Sequence, residues 1–392
     1  MSIKEQIDSD SCGVVGDRKR IAIFSGFYLP FLGGIERYTN KLLIELANLG
    51  YDSIIVTTNH ENLPSYECGV TTVYRLPTYN LFKNRYPIIK RNHEFRQLMG
   101  QIENEHVDYV ICNTRFQLTT FLGSKFAKKR NIRALVIEHG SSHFSIGIKW
   151  LDEFGKLYEH SLTYLVKYYI KDFYGVSQRC NQWLKHFHIE ARGVFYNSID
   201  SDAYDRFKTR KYKKRFEDKI IIAYAGRIIR EKGIEVLLDS FSELIKSNNN
   251  IVLVIAGDGP LLLTLKDKYK NPTIFFEGKL NYEDMMSLMN ITDIFCHPSM
   301  YPEGLPTAIL EAGIMKCAVI ATDRGGTKEV IISSEYGIIV DENQESLVGA
   351  LEELLSNPSR VEKLKNNLHK RIKKNFTWKV TASKVSQRLK EM

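Results

Sequence analysis

Long apolar runs are missing from this 392-residue chain. The longest candidate, IVLVIAG at 251–257, falls far short of the roughly 18 residues that cross a bilayer and reads as a buried strand. Residues 1–18 also lack the apolar core of a secretory leader and carry Asp8, Asp10 and Asp17, so the expectation is a protein that stays in the cytosol. Cysteine is scarce: six in all, none in a CxxC pair, with Cys112, Cys296 and Cys317 inside apolar strand-like runs. That pattern argues against a zinc cluster or a disulfide framework and predicts reduced thiols. The G-x-G-x-x-G dinucleotide fingerprint is absent, as are low-complexity segments and short repeats. Acid is missing where base is dense. Residues 83–96 set Lys83, Arg85, Lys90, Arg91 and Arg96 against Glu94 alone. Residues 125–133 hold Lys125, Lys128, Lys129, Arg130 and Arg133 with no acid. Together these stretches carry as much net charge as the whole chain, +9. They suit an anionic surface, a nucleic acid, an anionic substrate or simply a solvated helix face.

What is present is a globular composition, 43% hydrophobic and 26% charged, at a length that suits two domains. Short apolar runs (21–25, 53–58, 71–76, 108–112, 134–138) alternate with helical periodicity at 34–49, 88–105 and 116–130. This is the βαβ rhythm of an α/β fold with a parallel sheet covered on both faces. The rhythm fades between 140 and 192 in an aromatic-rich helical stretch. A strand, VFYN at 194–197, precedes the charged run KTRKYKKRFEDK, and a second series follows with strands at 220–226, 251–257, 273–278, 293–297, 318–322 and 337–341. Helices are expected at 233–247, 260–270, 281–290, 306–315 and 344–356, then two basic amphipathic ones at 359–373 and 377–391. The expected organisation is a tail over 1–18, a Rossmann-like domain over 19–197, a connector over 198–218, a second Rossmann-like domain over 219–375 and a terminal segment over 376–392. Two doubly wound domains that face each other place the loops after their strands along one cleft.

The candidate functional residues fall just after strands. Nine residues, EGLPTAILE, run from Glu303 to Glu311. A helix beginning at Pro306 is favoured because proline's missing N–H costs little there. Its positive end attracts phosphate, whereas Glu303 and Glu311 would accept from hydroxyls. A diphosphate flanked by two polyols fits, with Gly304, Leu305, Pro306 and Thr307 around it. AYAGRIIREKG places Gly226, Arg227 and Lys232 after a strand and before a helix, where two cations can neutralise a departing diphosphate. Gly257, in AGDGP, makes another close strand-to-helix turn, and Asp258 is placed to cap the following helix. In the first half, Gly33 and Gly34 precede a helix and permit close backbone approach, and His139 directly follows a strand in ALVIEHG. The D-S-D triplets at 8–10 and 200–202 read as tail and turn rather than metal ligands, so no metal site is expected.

Taken together and in order, LGGIERY, EHG, VFYNSID, AGRIIREKG, AGDGP, FEG and EGLPTAILE resemble the retaining glycosyltransferases of family 4, which have the GT-B fold. The resemblance spans about residues 20 to 390, and EGLPTAILE matches that family's E-x7-E motif. It implies that Glu311 binds the nucleotide ribose, that Glu303 contacts the donor hexose and that Arg227 and Lys232 hold the diphosphate. It further implies that Gly33 and Gly34 lie by the donor phosphates and acceptor, that His139 lies near the transferred sugar and that no metal is needed. Residues 376–392, beginning Phe376-Thr377-Trp378, resemble the terminal helix that crosses back to the first domain. Pro306 stands where many members have glycine, which shifts phosphate contacts to Leu305, Thr307 and Ala308, and Ser198 replaces a frequent glycine after Asn197.

The expected function is thus transfer of a hexose-type unit, with retention, from a UDP- or GDP-sugar to an acceptor hydroxyl. No cofactor and no nucleic acid are expected as partners. Lys83, Arg85, Lys90, Arg91, Lys128, Lys129 and Arg130 mark an acceptor and membrane side, which suggests a lipid-linked or glycan acceptor in cell-surface polysaccharide synthesis and peripheral attachment to the inner membrane face. Two other classes fit parts of the pattern: a GT-B-fold nucleotide-sugar epimerase, and a basic nucleic-acid-binding protein, which would leave Glu303 and Glu311 unexplained.

Overall fold

The computed structural model describes residues 18–31, 33–69, 71–79, 86–144, 149–208, 213–216, 218–301 and 304–392. The chain divides into two compact units. Unit 1 gathers the described residues up to Val176 with Asn181–Phe195 and Ala382–Met392; unit 2 gathers Ser177–Cys180 and Tyr196–Thr381.

Unit 1 carries strands β1 (Lys19–Phe24), β2 (Tyr51–Asn59), β3 (Tyr66–Glu67), β4 (Thr72–Tyr79), β5 (Ile88–Ile89), β6 (Tyr109–Asn113), β7 (Arg133–Glu138), β8 (Asp172–Gly175) and β9 (Gly193–Val194). The sheet order is β3-β4-β2-β1-β6-β7-β8-β9, with β5 paired to β4. All pairs are parallel except those of β3 and β5 with β4. Unit 2 carries β10 (Ile220–Ala225), β11 (Ile251–Ala256), β12 (Ile274–Gly278), β13 (Ile294–His297), β14 (Ala318–Thr322) and β15 (Ile338–Val340). They form an all-parallel sheet in the order β12-β11-β10-β13-β14-β15.

Successive strand residues point to opposite faces, and the core of unit 2 divides accordingly. Ile221, Ala223, Val252 and Val254 enter one apolar cluster, and Ile222, Tyr224, Leu253 and Ile255 enter the other. A strand covered on both faces has no polar side, which is why these runs read as continuously apolar. Each fully buried Ile or Leu contributes about 1.5–3 kcal/mol. Several helices start where an asparagine accepts from the first turn: Asn92 from Phe95 N–H, Asn281 from Asp284 N–H and Asn343 from Ser346 N–H.

Each sheet reverses its strand order once, at β1/β6 in unit 1 and at β10/β13 in unit 2. Open α/β sheets bind ligands beyond the strand carboxyl ends at such a switch point, and the candidate residues lie in these loops. The terminal helix spans Trp378–Glu391. Its start is tied to Ile199, which donates to Phe376 O at 2.9 Å and accepts from Trp378 N–H at 3.1 Å. Its end joins unit 1, where Ser386 and Tyr51 hydroxyls share a 3.0 Å hydrogen bond and Arg388 donates to Asp172 at 3.0 Å.

Three local expectations change. The strand expected at VFYN (194–197) is instead Gly193–Val194 and shares only Val194 with it, and the short β8 follows soon after the long helix Lys149–Tyr169. Cys112, Cys180, Cys296 and Cys317 are free and buried, but exposed Cys68, in the segment after edge strand β3, is disulfide-bonded rather than reduced. Cys12 lies outside the described residues. No helix of the described residues is long and apolar enough to cross a membrane.

Candidate functional site

In unit 2 the switch point is built largely from backbone. Gly226 closes β10 by donating to Ala256 O at 3.0 Å. Arg227 follows, exposed, while its carbonyl accepts from the buried Tyr224 hydroxyl at 2.9 Å. A 3-10 turn, Arg230–Lys232, leads to Gly233, which opens helix Ile234–Leu244 at φ 68°. A Cβ on Gly233 would fall inside the carbonyl oxygen of Pro298, in the loop after β13. Met300 N–H in that loop donates to Glu231 O at 2.8 Å, and Lys232 Nζ sits 5.1 Å from the Tyr301 ring centre. The two loops that carry the expected phosphate groups are thus joined by the fold. Gly257, at φ 149°, is a second position where no Cβ fits, because the Gly226 carbonyl fills that space.

The helix after β13 spans Thr307–Ile314, with Pro306 extended (ψ 108°) as its N-cap. It therefore begins one residue later than expected. Pro306 O accepts from Ile309 N–H at 3.2 Å, so Thr307 and Ala308 are the residues whose N–H groups open the helix. Pro306 contributes no N–H. Glu311 is buried, 6% exposed, in the second turn. Leu305 is a core residue, so only its backbone is available to a ligand. Gly304 accepts from Gly326 N–H at 2.8 Å, which fixes the motif's entry. Glu303 lies outside the described residues. Asp258 does not cap the following helix, whose N-cap is Leu261; its carboxylate accepts from Gly259 N–H at 2.8 Å, because a tight glycine turn intervenes.

In unit 1 the switch point is built from side chains. Gly33 is the N-cap of helix Gly34–Asn48, and Glu36, 4% exposed, folds back to accept from Gly33 N–H. Burial raises the Glu36 pKa, against those backbone hydrogen bonds. His139 follows β7, half-buried, with its ring edge-on to Tyr38 at 4.8 Å. Its Nε2 lies 3.2 Å from Asn113 Oδ1. Asn113 Nδ2 donates to Thr39 Oγ1 at 2.8 Å, and Thr39 Oγ1 donates to Ile35 O at 2.7 Å. This relay leaves Asn113 Oδ1 as acceptor, so neutral His139 carries its proton on Nε2 and keeps a lone pair on Nδ1. Desolvation lowers the His139 pKa to about 4, against the raising effect of Glu138, and the ring is neutral near pH 7.

Beneath this turn lies a buried ionic triad. Arg115, fully buried, donates to Glu138 Oε2 at 2.9 Å and to Glu159 Oε2 at 2.8 Å. Glu138 Oε1 accepts from Gly140 N–H at 2.9 Å, which holds the residue after His139. Burial raises Glu159 to about pKa 7 despite Arg115. Sequence reasoning missed Asn113, Arg115, Glu138 and Glu159. The available signal was a charged residue closing two apolar strands, Glu138 in ALVIE and Arg115 just past ICN.

The basic residues are less uniform than expected. Lys129 pairs with Glu103 at 2.9 Å. Arg130 caps helix Leu118–Lys129 and donates to Glu103 O and Glu105 O at 2.8 and 2.7 Å. Lys128 and Arg91 are exposed, and exposed Lys90 lies 5.7 Å from the Tyr79 ring centre. Lys83 and Arg85 lie outside the described residues. The larger surface feature is apolar. Trp150, Phe154, Leu157, Tyr164 and Tyr168 form an exposed stripe along helix Lys149–Tyr169, opposite a buried face of Leu162, Thr163 and Val166. At its first turns the helix walls a cavity of about 310 Å³ lined by Tyr86, Phe116, Leu118, Phe144 and Tyr158.

Comparison with known proteins matches both halves. Residues 32–203 match the model described as Glycosyltransferase Family 4, and residues 205–374 match Glycosyl transferases group 1. An uncharacterized glycosyltransferase of Methanocaldococcus jannaschii is 27% identical over 378 residues, 92% of this chain and 95% of that protein. The capsular polysaccharide biosynthesis glycosyltransferase CapM of Staphylococcus aureus is 26% identical over 191 residues, 46% of this chain and 50% of that protein. Among solved structures, Anabaena Alr3699/HepE in complex with UDP-glucose superposes with a TM-score of 0.71 at 14% identity, covering 95% of this chain and 100% of that one. With two family models that together span most of its length, and a fold of two parallel-sheet α/β units, the chain is a family 4-like glycosyltransferase of GT-B fold.

Proposed function

We propose that the protein transfers a hexose-type sugar from a UDP- or GDP-sugar to an acceptor hydroxyl with retention of configuration, and that the diphosphate is held without a metal. The observation that carries this reading is the paired loops of unit 2. Exposed Arg227 follows β10, Lys232 lies over Tyr301 of the neighbouring loop, and the helix opened by Thr307 and Ala308 follows with Glu311 buried in it. Two cations and a helix N-terminus together stabilise a departing diphosphate. Glu311 anchors the ribose and Glu303 the hexose, while neutral His139 in unit 1 offers Nδ1 to a sugar hydroxyl. UDP-glucose bound to HepE and the polysaccharide role named for CapM support a nucleotide-sugar donor and a glycan product.

The acceptor is proposed to be lipid-linked, on an anionic membrane surface. The aromatic stripe of helix Lys149–Tyr169 supports this more directly than the basic stretches do, because tyrosine and tryptophan favour the water–lipid boundary. The adjoining apolar cavity has room for part of a lipid chain.

Screening UDP- and GDP-sugars for slow hydrolysis, without Mg²⁺ or Mn²⁺, identifies the donor. With that donor, Arg227→Ala is expected to lower turnover about 10²–10³-fold with an unchanged melting temperature, since the side chain is exposed. Near-normal turnover would remove Arg227 from the reaction.

A further inference from the structure

Three histidines meet on unit 1, in a place the transferase reading does not use. His143 lies in the segment after β7, His160 in helix Lys149–Tyr169, and His186 in the turn after helix Gln178–Lys185. One ring nitrogen from each lies within 4.8 Å of the other two. The ring centres are 5.7, 5.2 and 5.1 Å apart. We propose that His143, His160 and His186 form a binding site for a divalent transition ion of the zinc type, which staples these three segments together.

The surroundings are those a zinc site needs. His143 Nδ1 lies 3.1 Å from Glu159 Oε2. With the carboxylate accepting Nδ1–H, the tautomer is fixed and the Nε2 lone pair is the one left for an ion. Metal-bound histidines ordinarily have such a carboxylate or carbonyl behind them. Glu159 is itself held by Arg115 and by Phe144 N–H, so the first ligand is oriented before any ion arrives. His186 stacks on Trp183 at 4.9 Å with planes 5° apart, and His160 packs on Phe187 at 4.7 Å. Imidazole donors select zinc-type ions over magnesium or calcium. Nitrogens at about 2.0–2.1 Å from a tetrahedral ion stand roughly 3.4 Å apart. Closing from 4.8 Å takes small rotations of His160 and His186, which are exposed and slide on the rings of Phe187 and Trp183 that flank them. Three imidazoles leave a fourth position for water.

The staple has a clear mechanical consequence. It ties the segment that leaves His139 to the aromatic helix and to the end of the helix that follows β8. It goes beyond the transferase reading and does not depend on it.

The test uses full-length protein without a polyhistidine tag, stripped with chelator and dialysed. Zn²⁺ is titrated in competition with a chromophoric chelator, and Co²⁺ binding is followed by its visible spectrum. The expected result is one ion per chain, with a rise in melting temperature of about 5 °C at saturating Zn²⁺. His160→Ala and His186→Ala should each weaken binding at least about 10-fold and abolish the rise. Both residues are exposed, so the variants should fold, which circular dichroism confirms. His106→Ala, on a remote exposed residue, should leave binding unchanged. Absence of stoichiometric binding, or undiminished binding in both variants, would overturn the proposal.

Discussion

The two switch points use opposite materials. In unit 2 the loops are fitted backbone to backbone: Gly233 against the Pro298 carbonyl, Gly257 against the Gly226 carbonyl, Met300 N–H on Glu231 O. Arg227 is simply presented at the surface of this frame. In unit 1 the corresponding loops are fitted by side chains: His139 to Asn113 to Thr39, and Arg115 between Glu138 and Glu159. Backbone frames suit a ligand part that is always the same, such as a diphosphate. Side-chain networks can change by single substitutions, which suits the part of a reaction that varies from enzyme to enzyme.

The contrast breaks most visibly under substitutions that damage one unit and spare the other. Gly233→Ala combines a left-handed backbone with a Cβ inside the Pro298 carbonyl. It is expected to destabilise unit 2 by about 5 kcal/mol, whereas the melting of unit 1 should not move. Arg115→Ala is expected to do the reverse. It strands two buried carboxylates, one of which also holds Gly140, at a cost of about 3–5 kcal/mol to unit 1. Calorimetry that resolves two transitions, or limited proteolysis followed by fragment identification, separates the outcomes. A common shift of both units in either variant would show that they unfold as one and that the distinction has no energetic content.

The same contrast explains what could be read in advance. The α/β class, the parallel rhythm and nearly every strand of unit 2 were legible because doubly covered strands are apolar along their whole length. The loops of unit 2 were legible because glycine, proline and arginine at fixed spacing describe a backbone frame directly. The start of the helix at Thr307 rather than Pro306 was not, because proline's fixed φ suits both the N-cap and the first helical position, and only ψ decides between them. The network around His139 was not legible either. Asn113 and Thr39 lie 74 residues apart, and Arg115 and Glu159 lie 44 apart. No local pattern announces a pairing made by topology. The aromatic stripe was seen as helical periodicity, but in one sequence an exposed face and a buried face both repeat every three to four residues, and the aromatic half turns out to face solvent.

The smallest effect isolates one ring. The folded His139 pKa of about 4 lies below its ordinary 6.5 because of desolvation. From pH 6.5 down to about 4 the unfolded ring takes up a proton that the folded ring refuses. The folded state therefore loses stability as pH falls through this window, and below it the group contributes no further slope. The shift corresponds to about 2 kcal/mol once the partial exposure of the ring is discounted. His143, His160, His186 and His369 are also lowered by burial, so the quantity to measure is the difference between wild type and His139→Gln. Denaturant unfolding at pH 7 and at pH 4.5 should show the wild-type advantage shrinking by most of that amount. An unchanged difference would mean that water reaches the ring in the folded state, and that unit 1 tunes His139 no more than an exposed surface would.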